Sequence, residues 1–402
     1  MISDFNGGTM DLNSTVSAQR LHIGFFGTVN SGKSSLVNTI TGQNLSIVSD
    51  TEGTTTDPVQ KAMELLPLGP VVIIDTPGLD DGTELGKLRI ERTMQMLRKT
   101  DIAVIVTDTS ENDPYTDAFI EKVRKKGIPY ILVRNKCDLI SNGSENSDTL
   151  FVSAKTGKNI AELKKRIAES IPAIKEERRI VSDLLEKGDS VILVTPIDEA
   201  APKGRLILPQ QQTIRDILDA GCICLTVQPD ELAASLCLLN KPPKMVICDS
   251  QVFGYVDSVV PKDIALTSFS ILFARYRGNF EQLIHGVNAI DRLKDGDTVL
   301  ISEGCTHHRQ CGDIGTVKLP GWLKKYTGKE LNFRFTSGGE FPETLSGIAL
   351  VIHCGGCMLN ANELSGRLEN CTASGVDVTN YGIAIAKMHG ILDRALSVFR
   401  TY

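Results

Sequence analysis

The sequence predicts an α/β protein built as three successive units, and three observations carry that expectation. Short apolar runs alternate with helix-length segments along most of the chain, which is the pattern of parallel sheets with crossover helices. A glycine-rich loop, Gly27-Thr-Val-Asn-Ser-Gly-Lys-Ser34, stands between the first apolar run and the first helix pattern. The last third holds two Cys/His segments, Cys305-Thr-His307-His308 and His353-Cys-Gly-Gly-Cys357, each behind an apolar run.

Composition narrows the function classes. At about 150 residues per domain, 402 residues make two or three domains. A net charge of -6 argues against nucleic acid as the main partner, because phosphate binding needs clustered Lys and Arg. No apolar run approaches the roughly 18 residues of a membrane span, so no membrane association is expected. Met1 to Ser17 lacks the charged start and apolar stretch of a signal peptide, so a cytoplasmic location is expected. In reducing cytoplasm ten cysteines are not a disulfide framework. Cys137, Cys222, Cys224, Cys237 and Cys248 lie in apolar or helical patterns and are expected as small buried hydrophobes.

The first unit, 18–174, carries apolar runs at Leu21–Gly27, Val71–Asp75, Ile102–Thr107, Tyr130–Asn135 and Leu150–Ser153. The loop after the first run fits G-x-x-x-x-G-K-[ST], in the strand–loop–helix context that this phosphate-binding pattern requires. Gly27 and Gly32 let backbone N–H groups close on phosphates, with Asn30, Ser31 and Ser35 in the same cradle. Lys33 would reach the outer phosphates and Ser34 would hold Mg2+, with the helix N-terminus adding a favourable dipole. Further segments turn a phosphate loop into a guanine site. Asp75 ends a strand beside the metal, and Gly78 can offer its N–H to the terminal phosphate. Asn135-Lys136-Cys-Asp138 supplies a carboxylate that accepts from the guanine N1 and N2 donors, which adenine lacks. Ser153-Ala154-Lys155 can reach the guanine oxygen through the Ala154 N–H.

These residues resemble the GTPases of the translation-factor and tRNA-modification class, which implies a Ras-like P-loop domain binding GTP with Mg2+. Glu52-Gly-Thr-Thr-Thr-Asp57 looks like the first switch of that group, where Thr55 (or Thr54) would ligate Mg2+. Leu79 stands where Ras-like enzymes use a glutamine to orient water, which implies slow hydrolysis. Asn30 matches the asparagine that holds K+ in relatives whose hydrolysis is cation-stimulated.

The charged stretch Lys175-Glu-Glu-Arg-Arg179 marks a boundary. Beyond it, 180–262 reads as a small α/β unit with strands at Ser190–Thr195, Cys222–Val227 and Met245–Asp249 and helices at Gln210–Ala220 and Asp230–Leu239. It has no phosphate loop, so an assembly role is expected. The last unit, 263–402, has strands at Thr298–Ser302, Asn332–Thr336 and Ile348–His353 and helices at Asn279–Leu293, Asn360–Cys371 and Asn380–Phe399.

Cys305 follows one of these strands, and Cys354 and Cys357 follow another. If the two strands are neighbours, three thiolates meet at one sheet edge, with Gly355 and Gly356 letting the C-x-x-C fold tightly. Cys305, His307, Cys354 and Cys357 would close a structural zinc site. Three cysteines would equally hold a 4Fe–4S cluster with one iron open, or weakly bound by an imidazole or carboxylate. Spacing does not separate the two. The radical-enzyme pattern C-x-x-x-C-x-x-C is absent, which argues against reductive radical chemistry.

C-x-H followed at a distance by H-C-x-x-C, behind a GTPase unit of this class, resembles the FeFe-hydrogenase maturation GTPase family, HydF, over essentially the whole chain. The resemblance implies an iron–sulfur cluster-binding last domain and a homodimer built through the middle one. It implies a scaffold that carries a 4Fe–4S cluster, receives a di-iron cargo and delivers it to apo FeFe-hydrogenase, with the radical-SAM maturases HydE and HydG as partners. Cys305, Cys354 and Cys357 carry over as ligands. His307 and His353 both match the pattern for the fourth, and Asp198 in Thr195-Pro-Ile-Asp198 is a further candidate. The rival is a tRNA-modifying or ribosome-associated GTPase with a zinc site, against which stands the lack of a basic run interleaved with aromatics.

Overall fold

The computed structural model of the chain describes residues 20–43, 58–79, 84–108, 114–139, 149–170, 178–197, 206–304 and 313–399. The chain divides into two compact units, 1–175 and 176–402.

The first unit runs β1 (Leu21–Phe26), α1 (Lys33–Thr41), β2 (Val59–Leu65), β3 (Gly69–Asp75), α2 (Glu84–Arg98), β4 (Ile102–Thr107), α3 (Pro114–Lys125), β5 (Tyr130–Arg134), β6 (Thr149–Phe151) and α4 (Ile160–Ser170). Its strands lie in the order β2-β3-β1-β4-β5-β6. All pairs are parallel except β2 with β3. The central strands read as unbroken apolar runs because both faces of the sheet are covered. Ile23, Phe25, Ile73 and Val104 pack against Leu36 and Ile40 of α1 and Leu163 and Ile167 of α4. On the other face Phe26, Val72, Ile74 and Ile105 meet Leu97 of α2 and Phe119 and Val123 of α3. Strand β2 has no counterpart among the expected strands: its residues Val59–Glu64 are largely exposed, so this edge carries no apolar run. The fold is the Ras-like P-loop domain. Connections leave β1 towards β3 on one side and β4 on the other, which opens a crevice at the carboxyl ends of these strands.

The second unit continues with β7 (Ser190–Val194), α5 (Leu208–Asp219), β8 (Ile223–Val227), α6 (Leu232–Leu238), β9 (Met245–Cys248), α7 (Phe253–Val259), β10 (Ala265–Ser268), α8 (Phe269–Arg277) and α9 (Phe280–Gly286). It ends with β11 (Thr298–Ser302), α10 (Leu319–Thr327), β12 (Asn332–Thr336), β13 (Ile348–His353), α11 (Ala361–Ala373), β14 (Asp377–Asn380), α12 (Tyr381–Met388) and α13 (Leu392–Ser397). Two four-stranded sheets result, β10-β9-β7-β8 and β12-β11-β13-β14, both wholly parallel.

The boundary expected at residue 262 falls inside the first of these sheets, because β10 lies beyond it and pairs with β9 from Ala265↔Met245 to Ser268↔Cys248. One apolar core spans both sheets, joining Val246, Leu266 and Ile271 to Leu350, Ile352 and Ile383. Polar contacts reinforce it. Asn380 Nδ2 donates to Ser270 O (2.9 Å), and Arg394 Nη1 donates to Asp257 Oδ1 (2.7 Å). The helix expected over Asn380–Phe399 is broken at Gly390, whose φ of 72° is left-handed. Among the five cysteines expected in the core, Cys137, Cys222 and Cys248 are buried, Cys224 is half-buried and Cys237 is exposed. Cys237 sits on the outer side of the short α6, where a helical apolar pattern does not identify the packed face. Among the described residues no helix is long and apolar enough to cross a membrane.

Candidate functional site

The first site is built where β1 hands over to α1. A Cβ on Gly27 would stand 2.0 Å from the Val106 carbonyl of β4, and one on Gly32 2.2 Å from Asn135 Nδ2. Only glycine lets the loop lie this close to its neighbours. Asn30 and Gly32 both take left-handed φ values, 61° and 86°. Lys33 is 7% exposed and folds back along the loop, its Nζ donating to Gly27 O (3.0 Å) and Thr28 O (2.6 Å). Its charge therefore lies inside the curve of the loop, beside the N-terminus of α1, where anionic oxygens are favoured.

Ser34 Oγ donates to Asp75 Oδ2 at 2.6 Å. Asp75 ends β3 and is 1% exposed, so a hydroxyl and a carboxylate are brought together in the oxygen-donor pairing that suits Mg2+. Leu79 N donates to Gly27 O (3.2 Å), pinning the segment after Gly78 onto the phosphate loop. The Leu79 side chain is packed into the core with Phe26 and Val72, so no polar group stands at that position to orient water.

Asn135 is the brace of this site. Its Nδ2 donates to Ser31 O (3.1 Å) and its Oδ1 accepts from Ala154 N (3.0 Å), tying the phosphate loop to the loop after β6. The Ala154 N–H expected to face guanine is thus used by Asn135, whose buried amide must find its partners within the protein. Ser153 likewise serves the protein: its Oγ donates to Asp138 Oδ1 (2.6 Å) and accepts from Thr156 N (3.1 Å). The Ser153 bond, helped by the charge of Lys155 and opposed by desolvation, holds the Asp138 carboxyl below its ordinary value. Lys136 takes a left-handed φ of 59°, turning the chain between Asn135 and Asp138. Thr54 and Thr55 lie outside the described residues.

The second site stands at the carboxyl end of β11 and β13, which are adjacent and parallel with Ser302 opposite His353. That pairing brings Gly304 N within 3.0 Å of Cys354 Sγ, and Gly356 N donates to the same sulfur at 3.4 Å. A Cβ on Gly304 would meet Leu359 Cγ at 2.7 Å, whereas one on Gly355 would meet nothing within 4 Å. Burial pushes the Cys354 thiol up to about 11, against the two N–H groups that favour the thiolate. Cys357 is also raised by burial, with Arg277 opposing. Such thiols hold their protons until a metal displaces them. Sulfur flanked by N–H donors and by glycine loops is a donor set that fits a thiolate-bound metal group. Cys305, His307, His308, Cys311 and Asp198 lie outside the described residues, and among the described ones no three Cys, His, Asp or Glu side chains gather as a metal site.

His353, a candidate fourth ligand, is 1% exposed and has both ring nitrogens engaged. Nδ1 lies 2.8 Å from Cys354 O and Nε2 3.2 Å from Arg367 Nη1. Arginine only donates, so Nε2 accepts and Nδ1 donates. Burial, then the Arg367 charge, lowers the His353 pKa to about 4. In this geometry His353 braces the cysteine loop from behind. Arg367 in turn reaches Ser302 Oγ (3.3 Å) and Glu363 Oε1 (2.9 Å). This buried arginine sits on an otherwise amphipathic helix, where only its i,i+4 spacing from Glu363 marks it.

Residues 180–278 match the family model described as the hydrogen maturase F dimerization domain. Residues 281–398 match that of the hydrogen maturase F tetramerization domain. The chain belongs to the hydrogen maturase F family. Residues 22–136 match a third model, described as a 50S ribosome-binding GTPase, and this domain is a GTPase domain that takes GTP and Mg2+. The tRNA modification GTPase MnmE of Endomicrobium trichonymphae is 37% identical over 167 residues, 38% of this chain and 36% of that protein. GTPase Der of Wolinella succinogenes is 35% identical over 190 residues, 42% of this chain and 39% of that protein. The chain thus spans little more than a third of the length of these curated relatives. The structure of a point variant of Aquifex aeolicus Era bound to GDP and aluminium fluoride covers 59% of this chain and 97% of its own, at 20% identity and a TM-score of 0.35.

Asp138→Asn should weaken GTP binding by roughly tenfold or more, since it replaces a charge-assisted acceptor with an amide. Titration with a fluorescent GTP analogue checks it, and an unchanged affinity and GTP-over-ATP preference would remove Asp138 from the base site.

Proposed function

We propose that this chain is a slow GTP-hydrolysing scaffold of the cytoplasm that carries a 4Fe–4S cluster on Cys305, Cys354 and Cys357. In this reading it receives a di-iron precursor and delivers it to apo FeFe-hydrogenase. The observation that carries the reading is the 3.0 Å contact from Gly304 N to Cys354 Sγ. It sets the residue before Cys305 against the first sulfur of the C-x-x-C. When bound, the cluster supplies an iron that three thiolates leave open to an exchangeable ligand, which is what accepting a second metal fragment needs. The chain's own residues do the rest. Gly304 makes room beside Leu359, Gly356 takes the left-handed turn, the two N–H donors favour the Cys354 thiolate, and His353 steadies its carbonyl. Family membership supports HydE, HydG and the apo-hydrogenase as partners.

At the nucleotide, Lys33 would neutralise the outer phosphates, while Ser34 and Asp75, with Thr55, would hold Mg2+. Gly78 would offer its N–H to the γ-phosphate, and Asp138 would select guanine. With Leu79 packed into the core, no side chain at that position orients the attacking water, which supports slow hydrolysis. Asn30, held in a left-handed conformation within the phosphate loop, would be the K+ ligand. An open sheet edge at β8, with Ile223 59% exposed, supports a homodimer through the middle domain.

Iron and sulfide analysis after anaerobic reconstitution tests the cluster. Alanine at Cys305, Cys354 or Cys357 should each abolish it, whereas His353→Ala should keep it with altered spectra. Full iron content in Cys305→Ala, or none in His353→Ala, would contradict the assignment. Replacing potassium by sodium should slow GTP hydrolysis, and equal rates in the two salts would remove the role given to Asn30.

A further inference from the structure

Arg277 ends α8, in the dimerization-domain segment, and its guanidinium reaches the cysteine loop of the next domain. Nη1 donates to Leu359 O (3.1 Å) and Nη2 to Cys357 O (3.2 Å). Its Nε is buried and has no hydrogen-bond partner. It lines a small cavity together with His353, Cys354 and Gly355.

Its charge is what sets this side chain apart. The neighbouring buried or half-buried arginines of the unit each have a carboxylate: Arg275 has Asp183, Arg367 has Glu363, and Arg394 has Asp257. Arg277 has none within ion-pair distance among the described residues. Two carbonyl oxygens accept from its Nη groups but bring no negative charge, and its Nε–H stays unpaired. Burial disfavours its charged form, opposed by Tyr276 and Cys357. A largely desolvated cation without an anion is costly, and such groups occur where an anion is to be met. Among the described residues, two thiols stand near it: Cys357, whose carbonyl Arg277 already holds, and Cys354, across the shared cavity. Sulfurs that bind a metal do so as thiolates, and their negative charge would compensate Arg277.

We propose that Arg277 is the counter-charge of the metal–thiolate group, a positioning residue that both fixes the cysteine loop and favours the more negative, reduced state of the bound cluster. This rests on the reading that these cysteines carry a 4Fe–4S cluster. Adding one electron to such a cluster adds one negative charge, and a fixed cation beside it stabilises that state. Net charge and hydrogen bonding around the sulfurs are recognised determinants of cluster potential. The placement also makes α8, which begins at the end of β10, the element through which the middle domain touches the cluster loop.

The test compares the full-length wild type with Arg277→Gln and Arg277→Lys after anaerobic reconstitution with ferrous iron and sulfide. Iron and sulfide per chain report the cluster itself. Potentiometric titration with dithionite and mediators, followed by electron paramagnetic resonance, reports the midpoint potential. Hydrogen exchange of the 354–359 amides in metal-free protein reports the strut. Arg277→Gln should lower the midpoint by about 59 mV, a tenfold shift in a one-electron equilibrium, and speed exchange in the loop. Arg277→Lys should restore most of the potential, because it keeps the charge, while leaving exchange fast, because it cannot bridge two carbonyls. If Arg277→Gln does not retain its cluster, Arg277→Lys decides. A near-wild-type potential then supports the counter-charge, and a fallen one overturns it. Wild-type potential in Arg277→Gln overturns the proposal outright. Failure of the wild type to take up iron would instead refute the cluster reading, leaving loop exchange as the trace of a purely structural arginine.

Discussion

Everything proposed for the last domain depends on one pairing, the parallel, in-register contact of β11 with β13. Ser302 stands opposite His353, so both strands run out at the same level, and Gly304 N–H lands on Cys354 Sγ. A one-residue slip would turn every side chain of β13 to the other face and move that sulfur away from its donor. The buried network behind the edge secures the register. Arg367 touches Ser302 on β11 and His353 on β13 at once, so a slip would break the hydrogen bonds that tie this buried guanidinium to both strands.

The nucleotide site follows the same rule in another sheet. Phosphate loop, metal-side carboxylate and base loop all hang from the carboxyl ends of parallel strands, where a crevice opens because neighbouring connections depart in opposite directions. Asn135 plays there the part that Arg367 plays in the second site. It is a buried side chain whose hydrogen bonds join two loops that have no backbone pairing between them. In both places the groups that would meet the ligand are positioned by residues that need not touch it.

The groups expected to meet ligands are readable in the sequence because their spacing is imposed by chemistry. The phosphate loop, Asp75, Asp138 and the C-x-x-C each stand at the end of an apolar run, and each proves to end a strand or follow one directly. The bracing roles are not readable there. Asn135 and Ser153 belong to recognised patterns, but whether their polar atoms face nucleotide or protein depends on distances between loops that no single segment encodes. His353 matches the ligand pattern because it adjoins Cys354, and only Arg367, distant in sequence, shows where its Nε2 is engaged. Strand β2 is hidden because an exposed edge carries no apolar run. The domain boundary lies later than the charge and strand pattern suggests, because β10 is only four residues long and its apolar character merges with α8.

Iron-edge anomalous diffraction from a crystal of the anaerobically reconstituted protein examines the three-cysteine centre most directly. The expected result is a compact iron peak bonded to the sulfurs of Cys305, Cys354 and Cys357, with His353 still hydrogen-bonded to Arg367. Iron elsewhere on the chain, a single zinc ion closed by four ligands, or a cluster without Cys305 would contradict it.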